Sequence, residues 1–113
     1  MSESTYAWRI SRDMLFGDSK HSDAGVEGPR NAPESLLAVL RQPVKNADRV
    51  HAFRMLDDDG ILYYTGHIMA VEGVSPWAMD EEAAFGPLDD FGRPNAGAVY
   101  IQYRNAAGEW EGI

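Results

Sequence analysis

The amino-acid sequence predicts an α+β fold, in which one helix packs on one face of a four- to five-stranded antiparallel sheet and a long acidic loop follows the central strands. Three observations predict it. Helical spacing of apolar residues is confined to residues 31–42, other stretches alternate apolar and polar residues, and two of those stretches flank a short Asp-Gly turn. The length of 113 residues and the 44% apolar composition are typical of a single globular domain, residues 1–113.

The first predicted element is a strand over residues 5–11. Tyr6, Trp8 and Ile10 alternate with small or polar residues, so one face of this strand is apolar. Residues 16–30 are rich in Gly, Ser, Asp and Pro, and this composition predicts a loop.

Residues 31–42 form the predicted helix. Asn31 is placed to cap its N-terminus, with Glu34 three residues later, and Pro43 ends it. Its narrow apolar stripe consists of Leu36, Leu37 and Leu40. A helix of this length is marginal alone, so the stripe must pack on the sheet.

Residues 49–72 are predicted to form a β-hairpin, because Gly60 suits the left-handed position of a three-residue turn. The turn places Asp57 opposite Ile61, and the same register continued along both strands places His51 opposite His67. One face, expected to take the helix, then carries Val50, Ala52, Arg54, Leu56, Leu62, Tyr64, Gly66 and Ile68. The other face, expected to be covered by the later loop or by a partner, carries His51, Phe53, Met55, Tyr63, Thr65 and His67.

Residues 73–97 are the predicted acidic loop, which we expect to wrap over the sheet with a short helical turn over residues 79–84. A strand over residues 98–104 and a short closing strand that ends in Trp110 complete the sheet.

The charge of the chain is unevenly distributed. Residues 55–92 contain no Lys or Arg and nine carboxylates, whereas the other residues hold all ten basic residues and nine acids, so the formal net charge of −8 arises in this third of the chain. Such a field repels nucleic acid and anionic membranes and attracts basic proteins. We therefore expect no direct binding to nucleic acid or membrane.

Several short motifs occur along nearly the whole chain. They are residues 8–13 (WRISRD), 28–30 (GPR), 53–54 (FR) with the following DDDG and YY, and 87–92 (PLDDFG) with 94–97 (PNAG). In these motifs the chain resembles a small bacterial single-domain family with no assigned activity. The resemblance implies a compact domain and carries over no catalytic residue, ligand or cofactor.

The first hypothesis for function is a non-enzymatic module that binds a basic protein through its acidic middle segment. The residues expected to contact the partner are Asp57, Asp58, Asp59, Trp77, Asp80, Glu81, Glu82, Asp89, Asp90 and Phe91. A narrower form is a nucleic-acid mimic that inhibits a DNA- or RNA-binding protein, because carboxylates in rows can imitate the charge spacing of a duplex. The number of aromatic residues leaves a homodimer open as well.

The second hypothesis is a small-ligand or metal-binding domain on the predicted histidine face of the hairpin. Its residues are His51, Phe53, Tyr63 and His67. Two histidines are too few for a zinc site, and the Asp-rich turn lacks the spacing of a calcium loop, so no metal or cofactor is expected.

No catalytic motif is present. The chain has no Cys, no phosphate-binding Gly-rich loop and no nucleophile elbow, so we expect a protein that is not an enzyme. The N-terminus is polar and no apolar window is long enough to span a bilayer, which leads us to expect a cytoplasmic protein.

Overall fold

The computed structural model describes residues 4–13, 25–71 and 73–112. Within these ranges, six strands pair antiparallel in one open sheet. The strands are β1 (Tyr6–Asp13), β2 (Val26–Gly28), β3 (His51–Leu56), β4 (Leu62–Ala70), β5 (Tyr100–Arg104) and β6 (Trp110–Gly112). Their order across the sheet is β2-β1-β4-β3-β5-β6. The predicted α+β class and antiparallel sheet are confirmed, with one strand more than expected.

The helices are short and lie on both faces of the sheet. They are α1 (Glu34–Leu40), a 3-10 turn (Pro76–Ala78), α2 (Glu81–Ala84), a π-helical turn (Leu88–Gly92) and α3 (Arg93–Ala96). The smaller core lies under α1 and consists of Ala7, Leu36, Leu40, Val50 and Met69. The larger core lies between the sheet and the later helical turns and consists of Tyr6, Trp8, Ile10, Phe53, Met55, Tyr64, Ile68, Ala83, Leu88, Ala98, Ile101 and Tyr103.

The additional strand is β2, which falls in the predicted loop over residues 16–30. Gly28 pairs with Trp8 of β1, and a side chain at this position would collide with the indole, because a Cβ would lie 2.3 Å from Trp8 Cζ2. The glycine that indicated a loop therefore permits close packing of an edge strand. Residues 16–24 of the predicted loop lie outside the described residues.

Helix α1 is shorter than predicted at both ends. Its N-cap is Pro33, with no side-chain capping bond, whereas the carbonyl of Asn31 accepts a hydrogen bond from Ser4 N at 2.9 Å. At the C-terminus the Asn46 amide donates to the carbonyl of Gln42 at 3.0 Å. The prediction that Asn31 caps the helix is thus wrong, and the helix ends at Leu40, before Pro43.

The predicted hairpin register is wrong beyond its first pair. Asp57 N donates to Ile61 O at 3.0 Å as expected, and Leu56 pairs with Leu62. The next pair is Met55 with Tyr64, so a β-bulge inserts one extra residue, and the partners of the remaining pairs shift by one. Because a shift of one residue exchanges the two faces, the predicted composition of both faces is wrong for β4. Phe53 and Met55 share the face of Tyr64 and Ile68, and the later helical turns cover that face. This is as expected for Phe53 and Met55, whereas Tyr64 and Ile68 were expected to face the helix.

The acidic segment, residues 73–97, wraps over the sheet as expected, but the prediction of an irregular loop is wrong. The segment is a series of short helical turns that cover the larger core. The expected helical turn over residues 79–84 is present as α2, and Asp80 caps it by accepting a hydrogen bond from Ala83 N at 2.9 Å. The turns are too short to show a helical period in the sequence.

Candidate functional site

The acidic segment is held on the sheet by apolar side chains and one buried polar contact. Leu88 and Ala83 are 1% and 4% exposed in the larger core. The hydroxyl of the buried Tyr103 donates a hydrogen bond to the carbonyl of Ala84. The segment therefore has a defined inner side on the sheet and an outer side that faces solvent.

Two of the expected partner-binding residues, Asp90 and Phe91, contact the sheet. The Phe91 ring packs against Tyr64 and Trp8, with ring centroids 4.8 and 5.6 Å apart. The Asp90 carboxylate accepts hydrogen bonds from Tyr6 Oη at 2.8 Å and from Trp8 Nε1 at 3.1 Å. Because Tyr6 and Trp8 are 5% and 3% exposed, this carboxylate supplies the acceptor that two buried donors require.

The carboxylates of the segment gather around the Tyr6 hydroxyl. Glu82 and Asp90 line the same hollow beside Tyr6, which has a volume of about 380 Å³. Burial is the main cause that raises the pKa of Tyr6 above its ordinary value, followed by the hydrogen bond to Asp90 and the negative charges of Asp90, Glu82 and Asp89. We call the exposed residues Glu81, Glu82, Asp89 and Asp90 the acidic patch. The negative charges of three of these residues thus help to raise the pKa of the neighbouring Tyr6 hydroxyl.

The patch contains little compensating positive charge. Within residues 73–97 the only basic residue is Arg93, whose guanidinium lies 3.3 Å from the Asp89 carboxylate in an exposed ion pair. Five carboxylates and one guanidinium leave the segment with a formal charge of −4. The segment is therefore strongly negative, and three of its carboxylates, Glu82, Asp89 and Asp90, lie close enough to Tyr6 to act on its hydroxyl.

The aspartates of the hairpin turn have a local role. Asp57 Oδ1 accepts hydrogen bonds from Asp59 N at 2.9 Å and from Ile61 N at 2.8 Å, which closes the turn. Asp57, Asp58 and Asp59 also offer carboxylate oxygens within 4.8 Å of one another. One oxygen of Asp57 already accepts these hydrogen bonds, and Asp58 and Asp59 are exposed. The turn therefore accounts for the presence of three consecutive aspartates.

A second feature is a cleft at the end of the sheet where β3 begins and β5 ends. Its volume is about 690 Å³. Five separate parts of the chain line it, contributing Pro43, Ala47, Val50, His51, Ala52, His67, Ser75, Trp77, Arg104, Asn105, Ala106 and Glu111. A volume of this size is in the range of small-molecule sites.

The cleft brings together His51 and His67, although not in the predicted cross-strand pair. His51 is opposite Ile68, and His67 is opposite Ala52. Burial lowers the pKa of both imidazoles below 6.5, and the neighbouring His51 adds to the effect on His67. Both rings are therefore neutral at pH 7.

His67 Nδ1 is buried and has no hydrogen-bond partner among the described residues. An unsatisfied buried polar atom costs about 1–3 kcal/mol. No third metal-ligating side chain joins the two histidines in the described part of the chain, where the aspartates of the hairpin turn are the only such group of three. The geometry thus does not supply the ligand set of a zinc site.

The other two residues of the predicted ligand face lie elsewhere. Phe53 is fully buried in the larger core, and Tyr63 lies at the bulge beside Asp57. Trp77, which we expected on the partner-binding surface, is 42% exposed and lines the cleft together with Arg104. Arg104 carried no signal in the sequence, because residues from five separate parts of the chain meet only in the folded protein.

Comparisons with known proteins identify no relatives. No family model, no curated protein and no solved structure matches the chain. The resemblance to a small bacterial family therefore has no support from these searches. Among the described residues no helix has the length and apolar character needed to cross a bilayer.

Proposed function

We propose that this protein is a non-enzymatic interaction module that binds a basic protein through the acidic patch. The proposal rests on the contrast between the two sides of the acidic segment, one packed on the sheet and the other exposed to solvent. Its apolar side chains, among them Leu88 and Ala83, are buried on the sheet, while Glu81, Glu82 and Asp89 are exposed. A surface that bears one sign of charge favours association with a surface of the opposite sign.

The field around the patch defines the expected partner. Carboxylates close enough to raise the pKa of Tyr6 also attract Lys and Arg side chains of a second protein. The attraction accelerates encounter more than it strengthens the final complex, and it is screened over about 10 Å at 0.1 M salt. Binding through the patch is therefore expected to be fast at low salt and to slow steeply as salt is added.

The test is capture of a partner from native cell lysate by three forms of the protein. The first is the parent chain, and the second is the triple variant Glu81→Lys, Glu82→Lys and Asp89→Lys. Asp90 is left in place because Tyr6 and Trp8 need its carboxylate.

The third form is a matched control, Asp58→Lys, Asp59→Lys and Glu109→Lys. These three residues are exposed and lie outside the acidic patch, and the substitutions change the formal charge by the same amount. Captures at about 50 mM and about 500 mM salt are compared by mass spectrometry, since screening differs strongly between these conditions. We expect a basic protein that the parent and the control retain at low salt and that the patch variant loses.

A narrower form of the proposal is that the patch mimics nucleic acid. It requires the captured protein to be a DNA- or RNA-binding protein that an added duplex releases from the chain, because both would occupy one basic groove. A captured basic protein that is indifferent to the duplex would leave the general proposal in place and remove the mimic. Equal capture by all three forms would contradict both.

A further inference from the structure

The cleft at the end of the sheet is a second candidate site, separate from the acidic patch. None of the acidic-patch residues lines it. Its charged lining residues, Arg104 and Glu111, have opposite signs, so the lining is formally neutral in a chain of net charge −8. An occupant of this cleft is therefore selected by shape and hydrogen bonding rather than by charge.

The polar groups at the β5–β6 side of the cleft are already engaged within the protein. Arg104 Nε donates to Gly108 O at 3.3 Å, and Asn105 Nδ2 donates to Glu111 Oε1 at 3.3 Å. Asn105 Oδ1 accepts from two backbone N–H groups of the turn. Each of these side chains thus has a contact within the protein, and because the formal charges of Arg104 and Glu111 balance, the lining favours an uncharged occupant.

Two other lining residues, Trp77 and His67, offer an aromatic face and an unused hydrogen-bonding group. Trp77 is 42% exposed, and its indole is in edge contact with the buried Tyr103 at 6.3 Å between centroids. His67 is a neutral imidazole, which has one donor and one acceptor nitrogen, and its Nδ1 has no partner in the described part of the chain. Nδ1 is buried as the ring stands, so an occupant of the cleft reaches this nitrogen when the ring makes a half-turn about its Cβ–Cγ bond, which exchanges the positions of Nδ1 and Cδ2.

From these observations we propose that the cleft binds an uncharged, planar heteroaromatic molecule that carries neighbouring N–H and C=O groups. The ring system stacks on Trp77, and its polar edge hydrogen-bonds to His67. A volume of about 690 Å³ accommodates a bicyclic molecule of this class. Exposed tryptophan is well suited to stacking, because the face of any aromatic ring can lie on it.

The test uses 2-quinolinone as the probe and the ¹⁵N-labelled full chain. Two comparison probes each remove one required property: quinoline-2-carboxylate is planar but anionic, and cyclohexanecarboxamide is uncharged but not planar. NMR titration follows the indole N–H signal of Trp77 and the backbone signals of His67 and Asn105. We expect 2-quinolinone to shift these signals. Cyclohexanecarboxamide should bind at least about tenfold more weakly because it lacks the stacking contact, worth about 1–3 kcal/mol, and quinoline-2-carboxylate should bind more weakly because burying its unpaired charge is costly.

Variants separate the contributions of Trp77 and His67 to binding. We expect Trp77→Ala to weaken 2-quinolinone binding about tenfold and His67→Phe, which keeps a planar ring, about fivefold, in line with the loss of one stacking contact and one hydrogen bond. The control is Tyr100→Ala, which removes an exposed aromatic side chain that does not line the cleft, and it should leave binding unchanged. Thermal unfolding of each variant shows that it is folded.

Four results would overturn the proposal. They are no shift of the cleft signals at millimolar 2-quinolinone, equal or tighter binding of the carboxylate, equal binding of the non-planar amide, and unchanged binding to Trp77→Ala. None of these outcomes depends on whether the acidic patch binds a protein, so the two proposals fail separately.

Discussion

Replacing Asp90 by Ala should destabilise the protein far more than replacing its neighbour Asp89. Both are exposed carboxylates of the acidic segment. Asp90 accepts hydrogen bonds from Tyr6 Oη at 2.8 Å and Trp8 Nε1 at 3.1 Å, whereas the Asp89 carboxylate forms an ion pair with the exposed Arg93. The two substitutions remove the same charge and differ in the buried donors that they leave without an acceptor.

The magnitude follows from the two donors. A buried donor that loses its acceptor costs about 1–3 kcal/mol, and the lower half of that range applies because the Asp90 side reaches water. Two donors therefore lower the free energy of unfolding by about 2–4 kcal/mol. At roughly 4 °C per kcal/mol for a chain of this length, Asp90→Ala should lower the melting temperature by about 8–16 °C. Asp89→Ala should cost less than about 1 kcal/mol, the usual limit for an exposed ion pair.

The assay is urea unfolding followed by far-UV circular dichroism, with a thermal melt of each variant. A double-mutant cycle adds Tyr6→Phe, which removes one of the two donors. In that background Asp90→Ala should cost about 1 kcal/mol less than in the parent, because the hydroxyl no longer loses a partner. If Asp90→Ala melts together with Asp89→Ala, or if the cycle shows no coupling, the contact between Asp90 and the sheet is not what the structure indicates.

Three further outcomes are expected. Gly66→Ala should prevent stable folding, because the added Cβ would lie 2.2 Å from the carbonyl oxygen of Arg9. Gly60→Ala meets no atom within 4 Å and should cost only the roughly 1–2 kcal/mol of a left-handed backbone. Equal urea midpoints for the two variants would contradict this expectation. NMR titration of the imidazole signals should give pKa values below 6.5 for His51 and His67, and values above 6.5 would refute their burial. The unfolded chain takes up these protons near pH 6.5, whereas the folded chain takes them up only at lower pH. The histidines therefore contribute stability above pH 6.5 that is lost as the pH falls through their folded pKa. In urea unfolding measured as a function of pH, His67→Phe should make this loss smaller.

The sequence predicted the elements with strong local signals. The alternation of Tyr6, Trp8 and Ile10 places these residues in the larger core, as the structure has them. The turn before Ile61 is also as expected, with Gly60 at a φ of 81°. Period-two alternation and a left-handed glycine depend only on neighbouring residues, so they can be seen in the chain itself.

The hairpin faces could not be predicted, because one inserted residue decides them. The bulge follows Leu62 within a run of strand-forming residues, and the local pattern is equally compatible with either register. Tertiary packing selects the register that buries Tyr64 and Ile68 with the later helical turns. The predicted pairing of His51 with His67 failed for this reason.

The candidate sites could be predicted only in part. The accumulation of carboxylates is a property of composition, so Glu81, Glu82 and Asp89 were identified as candidates from the sequence. That Asp90 holds two buried side chains depends on contacts with residues more than eighty positions away, as the separations of 84 and 82 residues show. The cleft depends on five separate parts of the chain, and no local pattern marks such a meeting point.

The most direct test of the proposed function is the association rate of the captured partner with the parent and with the Glu81→Lys, Glu82→Lys, Asp89→Lys variant as a function of salt. With the parent we expect a rate constant that falls at least about tenfold between low and high salt, as in electrostatically steered association. With the variant we expect slow association that depends little on salt, and with the matched charge-reversal control a salt dependence close to that of the parent. A variant that associates as fast as the parent, with the same salt dependence, would contradict the claim that the acidic patch is the binding surface.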